Sequence, residues 1–341
     1  MNITQTLAAE LTATAAQIEA AVSLLDDGAT VPFIARYRKE ATGGLDDTQL
    51  RTLAERLQYL RELEERRAAV LKSIAEQGKL TPELQSQIEA ADNKTALEDL
   101  YLPYKPKRRT KAQIARENGL QPLADLLLAE QPQDVEAAAA PFVGENVPDA
   151  KAALDGARAI LMEQFAEDAA LIGRLREKLW NEAEIHAQVV AGEEEKGEKF
   201  KDYFDHREAV RTMPSHRALA VLRGRNEGVL HIALKYQPDD TPITQQSEYE
   251  QLIAAQFGVS DGCKWLRDTV RLAWRAKIFL SLELEALSRL KEAADHDAIT
   301  VFARNLKDLL LAAPAGRLPT LGLDPGYRNG VKCAVVDDTG K

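Results

Sequence analysis

Two short stretches concentrate positive charge in a chain of 341 residues whose net charge is −10. The first stretch, between residues 101 and 119, contains six cations: Lys105, Lys107, Arg108, Arg109, Lys111 and Arg116. The second, between residues 206 and 225, contains Arg207, Arg211, Arg217, Arg223 and Arg225, of which we predict that Arg217, Arg223 and Arg225 contact phosphates. Clustered lysines and arginines attract the phosphates of nucleic acid, and such contacts supply affinity without reading the base sequence. The pattern therefore predicts RNA or DNA as a partner, bound through its phosphate backbone.

Tyrosines flank the first basic stretch and suggest a further contact. Tyr101 and Tyr104 could stack on bases, as aromatic side chains do in proteins that bind single strands. The alternative is that both rings pack in the core while the cations pair with the acidic remainder of the chain. A third basic segment, RYRKEATGG at residues 36–44, has the same two interpretations, and its glycines indicate a shaped loop.

Asp324 is the residue that could take part in metal chemistry. It follows an apolar strand and precedes Pro325-Gly326, where we predict a turn. A carboxylate at that position can hold a divalent metal if other acids converge on it. The alternative is that Asp324 caps the turn through its own backbone. The sequence has no H-E-x-x-H, P-loop, dinucleotide-binding or nucleophile-elbow motif, so we expect no cofactor and assign no catalytic residue.

Composition favours a mainly α protein with an ordinary core. Hydrophobic residues make up 45% of the chain and charged residues 29%, while leucine and alanine far outnumber the aromatic residues. The two cysteines, Cys263 and Cys333, lack metal-ligand spacing, which favours a reducing compartment. The N-terminus does not resemble a signal peptide, and no apolar run approaches a membrane span. We therefore expect a cytoplasmic protein with no membrane partner.

Local signals place several helices and few strands. Asp46 with Gln49, and Thr95 with Glu98, have capping-box spacing at helix starts. Two short helices around Asn118-Gly119 have the spacing of a helix-turn-helix near 110–130, although an ordinary pair of antiparallel helices has the same pattern. A long central helix is predicted from about residue 261 to residue 294, restarting at residue 298. Residues 229–236 predict an isolated strand, and residues 318–341 predict a β-hairpin.

These elements suggest three parts of the chain. The first is an N-terminal helical domain at 1–190, which contains the helix-turn-helix. The second, at 191–315, continues the helical body with one short strand and the long helix. The third, at 318–341, holds the opening strands of another domain, because a hairpin needs more strands or a helix to be stable. We therefore expect the chain to be the first part of a longer protein.

Five segments together resemble the Tex family of bacterial transcription accessory proteins, in order and across the chain. They are TVPFIARYRKEATGGLDD (30–47), LEDLYLPYKPKRRTKAQIARENGL (97–120), KFKDYFD (199–205), PSHRALAVLRGRNEGVL (214–230) and GLDPGYRNGVKCAVVD (322–337). The resemblance implies a helical region with a helix-turn-helix, then a YqgF-like, RNase H-like domain and RNA-binding domains beyond. It also implies nucleic-acid binding in transcription. By position, Asp324 would be the first-strand acid of the RNase H-like motif, with Asn329 where the family usually has threonine.

Two other functions remain open at this point. Long amphipathic helices and an acidic surface suit a protein-interaction scaffold that docks on RNA polymerase or ribosome-associated proteins. The scaffold hypothesis predicts little binding to free RNA or DNA. The chain could also be part of a metal-dependent RNase H-like nuclease that uses Asp324, and this predicts cleavage that Asp324→Asn abolishes.

Overall fold

The computed structural model describes residues 2–105, 109–238, 240–242, 245–314, 316–326 and 330–341. Backbone contacts divide the chain into two units. The first unit contains Met1–Glu182 and Tyr236–Leu284, and the second contains Ala183–Lys235 and Glu285–Lys341. Helices dominate the described residues, which confirms the prediction of a mainly α protein.

The helices range from one and a half turns to more than eight. In chain order they are α1 (Ile3–Leu11), α2 (Ala15–Asp26), α3 (Val31–Tyr37), α4 (Asp47–Glu76), α5 (Pro82–Ala90), α6 (Lys94–Tyr101), α7 (Lys111–Glu117), α8 (Gln121–Glu130), α9 (Val135–Ala139), α10 (Ala150–Ala166), α11 (Ala169–Glu182), α12 (Ser215–Asn226), α13 (Glu248–Gln256), α14 (Lys264–Ala273) and α15 (Phe279–Leu310). The strands are β1 (Glu184–Val189), β2 (Asp205–Ala209), β3 (Leu230–Lys235), β4 (Thr320–Gly326) and β5 (Gly330–Val336).

Helix α4 runs for 30 residues and organises the N-terminal half of the first unit. The predicted capping box fixes its start, since the Asp46 carboxylate accepts a hydrogen bond from Gln49 N at 2.8 Å while the Gln49 side chain accepts one from Asp46 N at 3.1 Å. Leucines at helical spacing bury one face of α4 against α1, α2 and α3 and then against α5 and α6. The box predicted at Thr95 was wrong, because Asn93 caps α6 by accepting from Ala96 N at 2.8 Å.

Helices α7 and α8 occupy the segment where the sequence predicts a helix-turn-helix. Both pack against α10, and their contact is close because α10 carries Gly156 at the crossing. A Cβ atom at Gly156 would collide with the side chain of Leu120, which lies between α7 and α8 and is almost fully buried. The glycine therefore sets how closely the helix pair approaches α10.

Helix α14 continues through a π-helical turn, Trp274–Ile278, into α15. At this turn the Trp274 ring stacks on Tyr249 with centroids 4.6 Å apart, inside the first unit. The predicted break between residues 294 and 298 was wrong. No proline or glycine lies between Phe279 and Leu310, so nothing interrupts the helical hydrogen bonds. Helix α15 is therefore about 48 Å long.

A three-stranded antiparallel sheet in the second unit corrects the prediction of one isolated strand. Its order is β2-β1-β3, and the central strand pairs with β3 so that Ile185 lies opposite Leu234 and Ala187 opposite Ile232. These four side chains are buried, while the partner strand β2 has the polar sequence DHREA. A half-exposed edge strand of this kind lacks the apolar alternation by which strands are recognised in sequence.

Strands β4 and β5 form the predicted C-terminal hairpin. Leu323 pairs with Cys333 and Leu321 with Val335, so the predicted apolar face is confirmed. The predicted position of the turn was wrong: Pro325 pairs with Val331 and Gly326 with Gly330, which puts Pro325-Gly326 inside β4. The connecting residues 327–329 lie outside the described residues. All β4 side chains are exposed.

The two cysteines differ in environment. Cys263 precedes α14, is 3% exposed, and its Sγ donates to the Pro132 carbonyl oxygen at 3.8 Å. Cys333 is an exposed residue of β5. In the part of the chain that the structure describes, every helix is too short or too polar to cross a lipid bilayer.

Candidate nucleic-acid interface

Some of the described cations of the first basic stretch lie close to carboxylates. Lys105 Nζ lies 3.9 Å from Glu98 Oε2, and Arg109 Nη2 donates to Glu117 Oε2 at 2.5 Å. Lys107 and Arg108 lie outside the described residues. Lys111 begins α7, is exposed, and forms no ion pair within the described chain. The stretch is thus partly paired, as the alternative interpretation of the sequence anticipates.

The Arg109–Glu117 pair is a surface contact that a phosphate could replace. The Arg109 side chain is 68% exposed and that of Glu117 is 42% exposed, and solvent weakens ion pairs that are this exposed. Hydrogen bonding from Arg109, assisted by Gln113, lowers the pKa of Glu117, so the carboxylate stays charged at neutral pH. Because the pair is exposed and weak, a phosphate that competes with Glu117 could bind Arg109.

Arg116, by contrast, is hydrogen-bonded to residues of α8 and α10. Its Nη1 donates to Glu163 Oε2 at 2.6 Å, and its Nε donates to Gln121 Oε1 at 3.1 Å. The Glu163 side chain on α10 is only 6% exposed. The guanidinium thus connects α7 to the interior, so we expect Arg116 to support the fold rather than to contact a phosphate.

The tyrosines that flank the stretch are not free to stack on bases. Tyr101 is 7% exposed, its hydroxyl lies 2.9 Å from Ser73 Oγ, and the Arg66 guanidinium lies 5.2 Å from its ring centre. Tyr104 is half-buried against the same core cluster. Both rings support the fold, as the alternative interpretation holds.

Helix α8, which would be the recognition helix of a helix-turn-helix, carries no positive charge. Its sequence QPLADLLLAE contains Asp125 and Glu130 but neither lysine nor arginine. A helix that enters the major groove lies between phosphates, where carboxylates are repelled. Phosphate contact by the first basic stretch therefore fits this charge pattern better than base reading by α8 does.

The second basic stretch presents two free cations. Arg217 Nη2 donates to Glu208 Oε1 at 2.6 Å. Arg223 and Arg225, in the last turn of α12, are exposed and have no ion-pair partner among the described residues. Gly224 between them is buried against Leu230 of β3, which holds this turn of the helix on the sheet.

Asp324 stands on the exposed face of the hairpin. Its Oδ2 lies 3.6 Å from Lys332 Nζ on the opposite strand, and both side chains are largely exposed. Within the described residues no three His, Cys, Asp or Glu side chains are grouped so that they could hold a metal ion. Metal binding by Asp324 stays a prediction.

One exposed aromatic pair escaped the sequence analysis. Phe33 and Tyr37 on α3 are 40% and 64% exposed, and they adjoin the cations of the 36–44 segment. The signal that could have found them is their spacing of four residues, which puts both rings on one face of a helix.

Comparison with known proteins identifies the family. Residues 1–75 match the family described as Tex-like protein N-terminal domain, and residues 130–302 match Tex central region-like. The chain belongs to the Tex family. This confirms the resemblance drawn from the sequence.

Relatives of the Tex family extend well beyond this chain. Transcriptional accessory protein Tex of Neisseria gonorrhoeae is 85% identical over 341 residues, which are 100% of this chain and 45% of that protein. Protein YhgF of Escherichia coli strain K12 is 58% identical over 98% of this chain and 44% of its own length. S1 RNA-binding domain-containing protein 1 of Pongo abelii is 28% identical over 93% of this chain and 33% of its own length. The chain thus spans less than half the length of these relatives.

Proposed function

We propose that this chain is a nucleic-acid-binding part of a transcription accessory factor and that its basic segments contact the phosphate backbone. The observation that carries the proposal is a set of exposed cations that no carboxylate of the described residues neutralises, Lys111, Arg223 and Arg225. The name of the 85% identical relative supports the role in transcription. The S1 RNA-binding domain in the name of a more distant relative supports nucleic acid as the ligand.

The available cations divide into two classes. Lys111, Arg223 and Arg225 need no rearrangement to meet a phosphate. Lys105 and Arg109 must leave carboxylates that are about 40% exposed, which costs little because surface ion pairs are weak. Arg217 must leave Glu208, whose side chain is only 18% exposed, so its contact with a phosphate would cost more. Binding through such contacts releases counterions, so its affinity falls steeply as salt rises.

The test is fluorescence anisotropy of the 341-residue chain with a labelled single-stranded RNA and a labelled DNA duplex, across a salt series. The variant Lys107→Ala/Arg108→Ala/Arg109→Ala removes three cations of the first stretch. We expect it to reduce the slope of log Kd against log salt by about 2 on a single strand, at roughly 0.7 for each lost phosphate contact.

The matched control removes the same charge elsewhere. Arg51, Arg61 and Lys72 are surface cations of the first unit that each bind a carboxylate. Arg51→Ala/Arg61→Ala/Lys72→Ala should leave the slope close to that of the parent chain. Equal effects of the two triple variants would assign binding to net charge alone, and absence of binding to either nucleic acid at low salt would contradict the proposal.

A second candidate is a protein-interaction scaffold, favoured by the end of α15. There Ile299, Phe302 and Leu310 are 68%, 67% and 73% exposed, and exposed apolar side chains at this density commonly mark a contact surface. RNA polymerase or a ribosome-associated protein would be the partner. Purified RNA polymerase should then bind the chain, and Phe302→Ser/Leu310→Ser should weaken that binding without changing the salt slope for nucleic acid.

A further inference from the structure

The last turn of α3 and the loop that follows it, called the 36–44 loop below, carry cations that no described carboxylate neutralises. Arg36, Arg38 and Lys39 are all exposed, and within the described residues none of them forms an ion pair with a carboxylate. On the neighbouring helix α4, by contrast, Arg51 binds Asp47 and Arg61 binds Asp26, each at 2.7 Å. An acidic chain has carboxylates to spare, so three adjacent unpaired cations are a distinctive local feature.

Arg56 and Arg66 of α4 are paired in the same way. Arg56 Nη2 lies 2.6 Å from Glu10 Oε1, and Arg66 Nε lies 2.5 Å from Glu98 Oε1. Hydrogen bonding from these arginines lowers the pKa of both carboxyl groups, which keeps the pairs ionised at neutral pH. The cations of the 36–44 loop thus differ from these four arginines of α4, each of which binds a carboxylate.

Two exposed aromatic rings adjoin the cations. The centroids of Phe33 and Tyr37 are 5.3 Å apart, and the Arg38 guanidinium lies 5.5 Å from the Phe33 ring centre. Tyr37 is 64% exposed, so most of its ring is available to a flat partner. Cations beside an exposed aromatic ring are the combination with which proteins hold single-stranded nucleic acid, the cations on phosphates and the ring on a base.

The loop forms a concave surface of suitable size. It is a depression open to solvent, lined by Arg36–Ala41 with Gly43 and Gly44, and its volume is about 710 Å³. This lies in the range of about 300–1,000 Å³ that is usual for small-ligand sites. A depression of that size admits a nucleotide.

The backbone of the loop is held in shape without a ligand. Thr42 is fully buried and its Oγ1 donates to the Lys39 carbonyl oxygen at 3.1 Å, while Gly44 N donates to the same carbonyl at 2.9 Å. Gln17 Nε2 donates to the Gly43 carbonyl oxygen at 2.8 Å. Gly43 and Gly44 have φ values of 60° and 90°, which glycine adopts readily. Because these bonds fix the backbone, binding would order only side chains.

Glu40 is the one acidic residue in the wall, and it helps to choose among ligands. A small, highly charged anion would be repelled by this carboxylate at close range. A single strand spaces its phosphates along an extended backbone and can direct a base or a ribose hydroxyl toward Glu40. An acidic peptide would use the cations, but its backbone does not present a flat base between successive charges for the exposed face of Tyr37.

We propose that the 36–44 loop, together with Tyr37 and Phe33, binds single-stranded nucleic acid, with phosphates on Arg36, Arg38 and Lys39 and a base stacked on Tyr37. The inference rests on the proposed function, because it adds a site to a protein that binds nucleic acid. It differs from that function in its residues, since none of these belongs to the two basic stretches considered above.

The test measures binding of a fluorescein-labelled oligouridine to the 341-residue chain and to Tyr37→Ala, Tyr37→Phe and Arg36→Gln/Arg38→Gln/Lys39→Gln. Loss of one stacked base should raise Kd roughly tenfold in Tyr37→Ala, while Tyr37→Phe keeps the ring and should stay near the parent value. The triple variant should reduce the salt slope by about 2. The control Arg51→Gln/Arg61→Gln/Lys72→Gln, with the same charge change, should not.

A second measurement locates the contact. Oligouridine carrying 5-iodouridine should form a photocrosslink that mass spectrometry assigns to Tyr37 or Phe33. If the parent chain binds, yet the Tyr37→Ala and triple variants match it and no crosslink falls in residues 33–44, the site is wrong while the proposed function stands. No binding by the parent chain would overturn both. Reduced affinity in the triple variant with no effect of Tyr37→Ala would indicate a charge patch without base stacking and would overturn the site as proposed.

Discussion

Arg116 on α7 and Glu163 on α10 form a hydrogen-bonded ion pair, with Nη1 and Oε2 2.6 Å apart, between residues 47 positions apart in sequence. Glu163 also accepts a hydrogen bond from Thr110 Oγ1 at 3.2 Å, so the carboxylate holds both the start and the end of α7. A cation that the sequence groups with the phosphate contacts therefore contributes to the fold. Substituting Arg116 should therefore change the free energy of unfolding, whether or not it changes the affinity for nucleic acid.

Substituting Arg116 should destabilise the chain and leave phosphate binding intact. Arg116→Met removes the cation that Glu163 binds, and disrupting such a pair costs about 3 kcal/mol when the carboxylate is buried. Urea unfolding measures the change, and Arg51→Met, which disrupts an exposed pair, should destabilise the chain much less than Arg116→Met. A fall in the salt slope of RNA binding with unchanged unfolding would instead return Arg116 to the phosphate contacts.

The Glu98 carboxylate should make stability depend on acid pH. Hydrogen bonding from Arg66 lowers the pKa of Glu98 below its ordinary value of 4.5. Folding therefore favours the charged form, so this contribution to stability is complete above pH 4.5 and is lost as the pH falls through the folded-state pKa. The difference in unfolding free energy between the parent chain and Glu98→Gln should shrink from about pH 6 to about pH 3. A difference that stays constant over this range would contradict the assignment.

Even a methyl side chain at Gly156 should destabilise the chain. Gly156→Ala places a methyl group against Leu120 and near the Ala115 Cβ, 3.2 Å away, in a buried contact. We expect a loss of about 1–3 kcal/mol from overpacking, despite the better helix propensity of alanine. Gly173→Ala in α11 is the matched control, because nothing lies within 4 Å of its new methyl group. That variant should gain up to about 1 kcal/mol, and equal gains at both sites would mean that α7 and α8 shift easily.

The C-terminal hairpin should exchange its amide protons rapidly in the 341-residue chain. A two-stranded sheet is marginally stable by itself, and all β4 side chains are exposed. Strand β1, which pairs on both sides and buries Ile185 and Ala187, is the internal control and should be protected. Hydrogen exchange followed by mass spectrometry compares the two, and similar protection would show that the hairpin is held by more than its own pairing.

Local chemistry made much of the helical fold predictable. The Asp46–Gln49 box and the threonine and proline at 81–82 mark helix starts, because their hydrogen bonds or fixed dihedrals involve residues at most three positions apart. The same reasoning misplaced the start of α6 by two residues, since Asn93 is an equally good cap. It also missed β2, because an edge strand with polar residues carries no apolar alternation.

The candidate site was less predictable, because charge pairing is a long-range property. Nothing near Arg116 in sequence reveals Glu163, and nothing near Tyr101 reveals Ser73, 28 positions away, whose Oγ lies 2.9 Å from its hydroxyl. Composition identified the basic stretches correctly but could not separate cations that bind carboxylates from cations that do not. In sequence the 36–44 loop resembles the two basic stretches. Only the fold shows which of their cations lie near a carboxylate.

The contrast between the two cysteines gives the chain two thiols that should differ in their access to reagents. Cys333 stands exposed on β5, so a maleimide dye should label it without any substitution and report on the hairpin. Cys263 is 3% exposed beside α14, so it should react only when that region opens. The ratio of its labelling rate to that of the unfolded chain would give the equilibrium constant for that opening in native buffer, and hence its free energy. A single labelling time course would thus follow one residue in each unit.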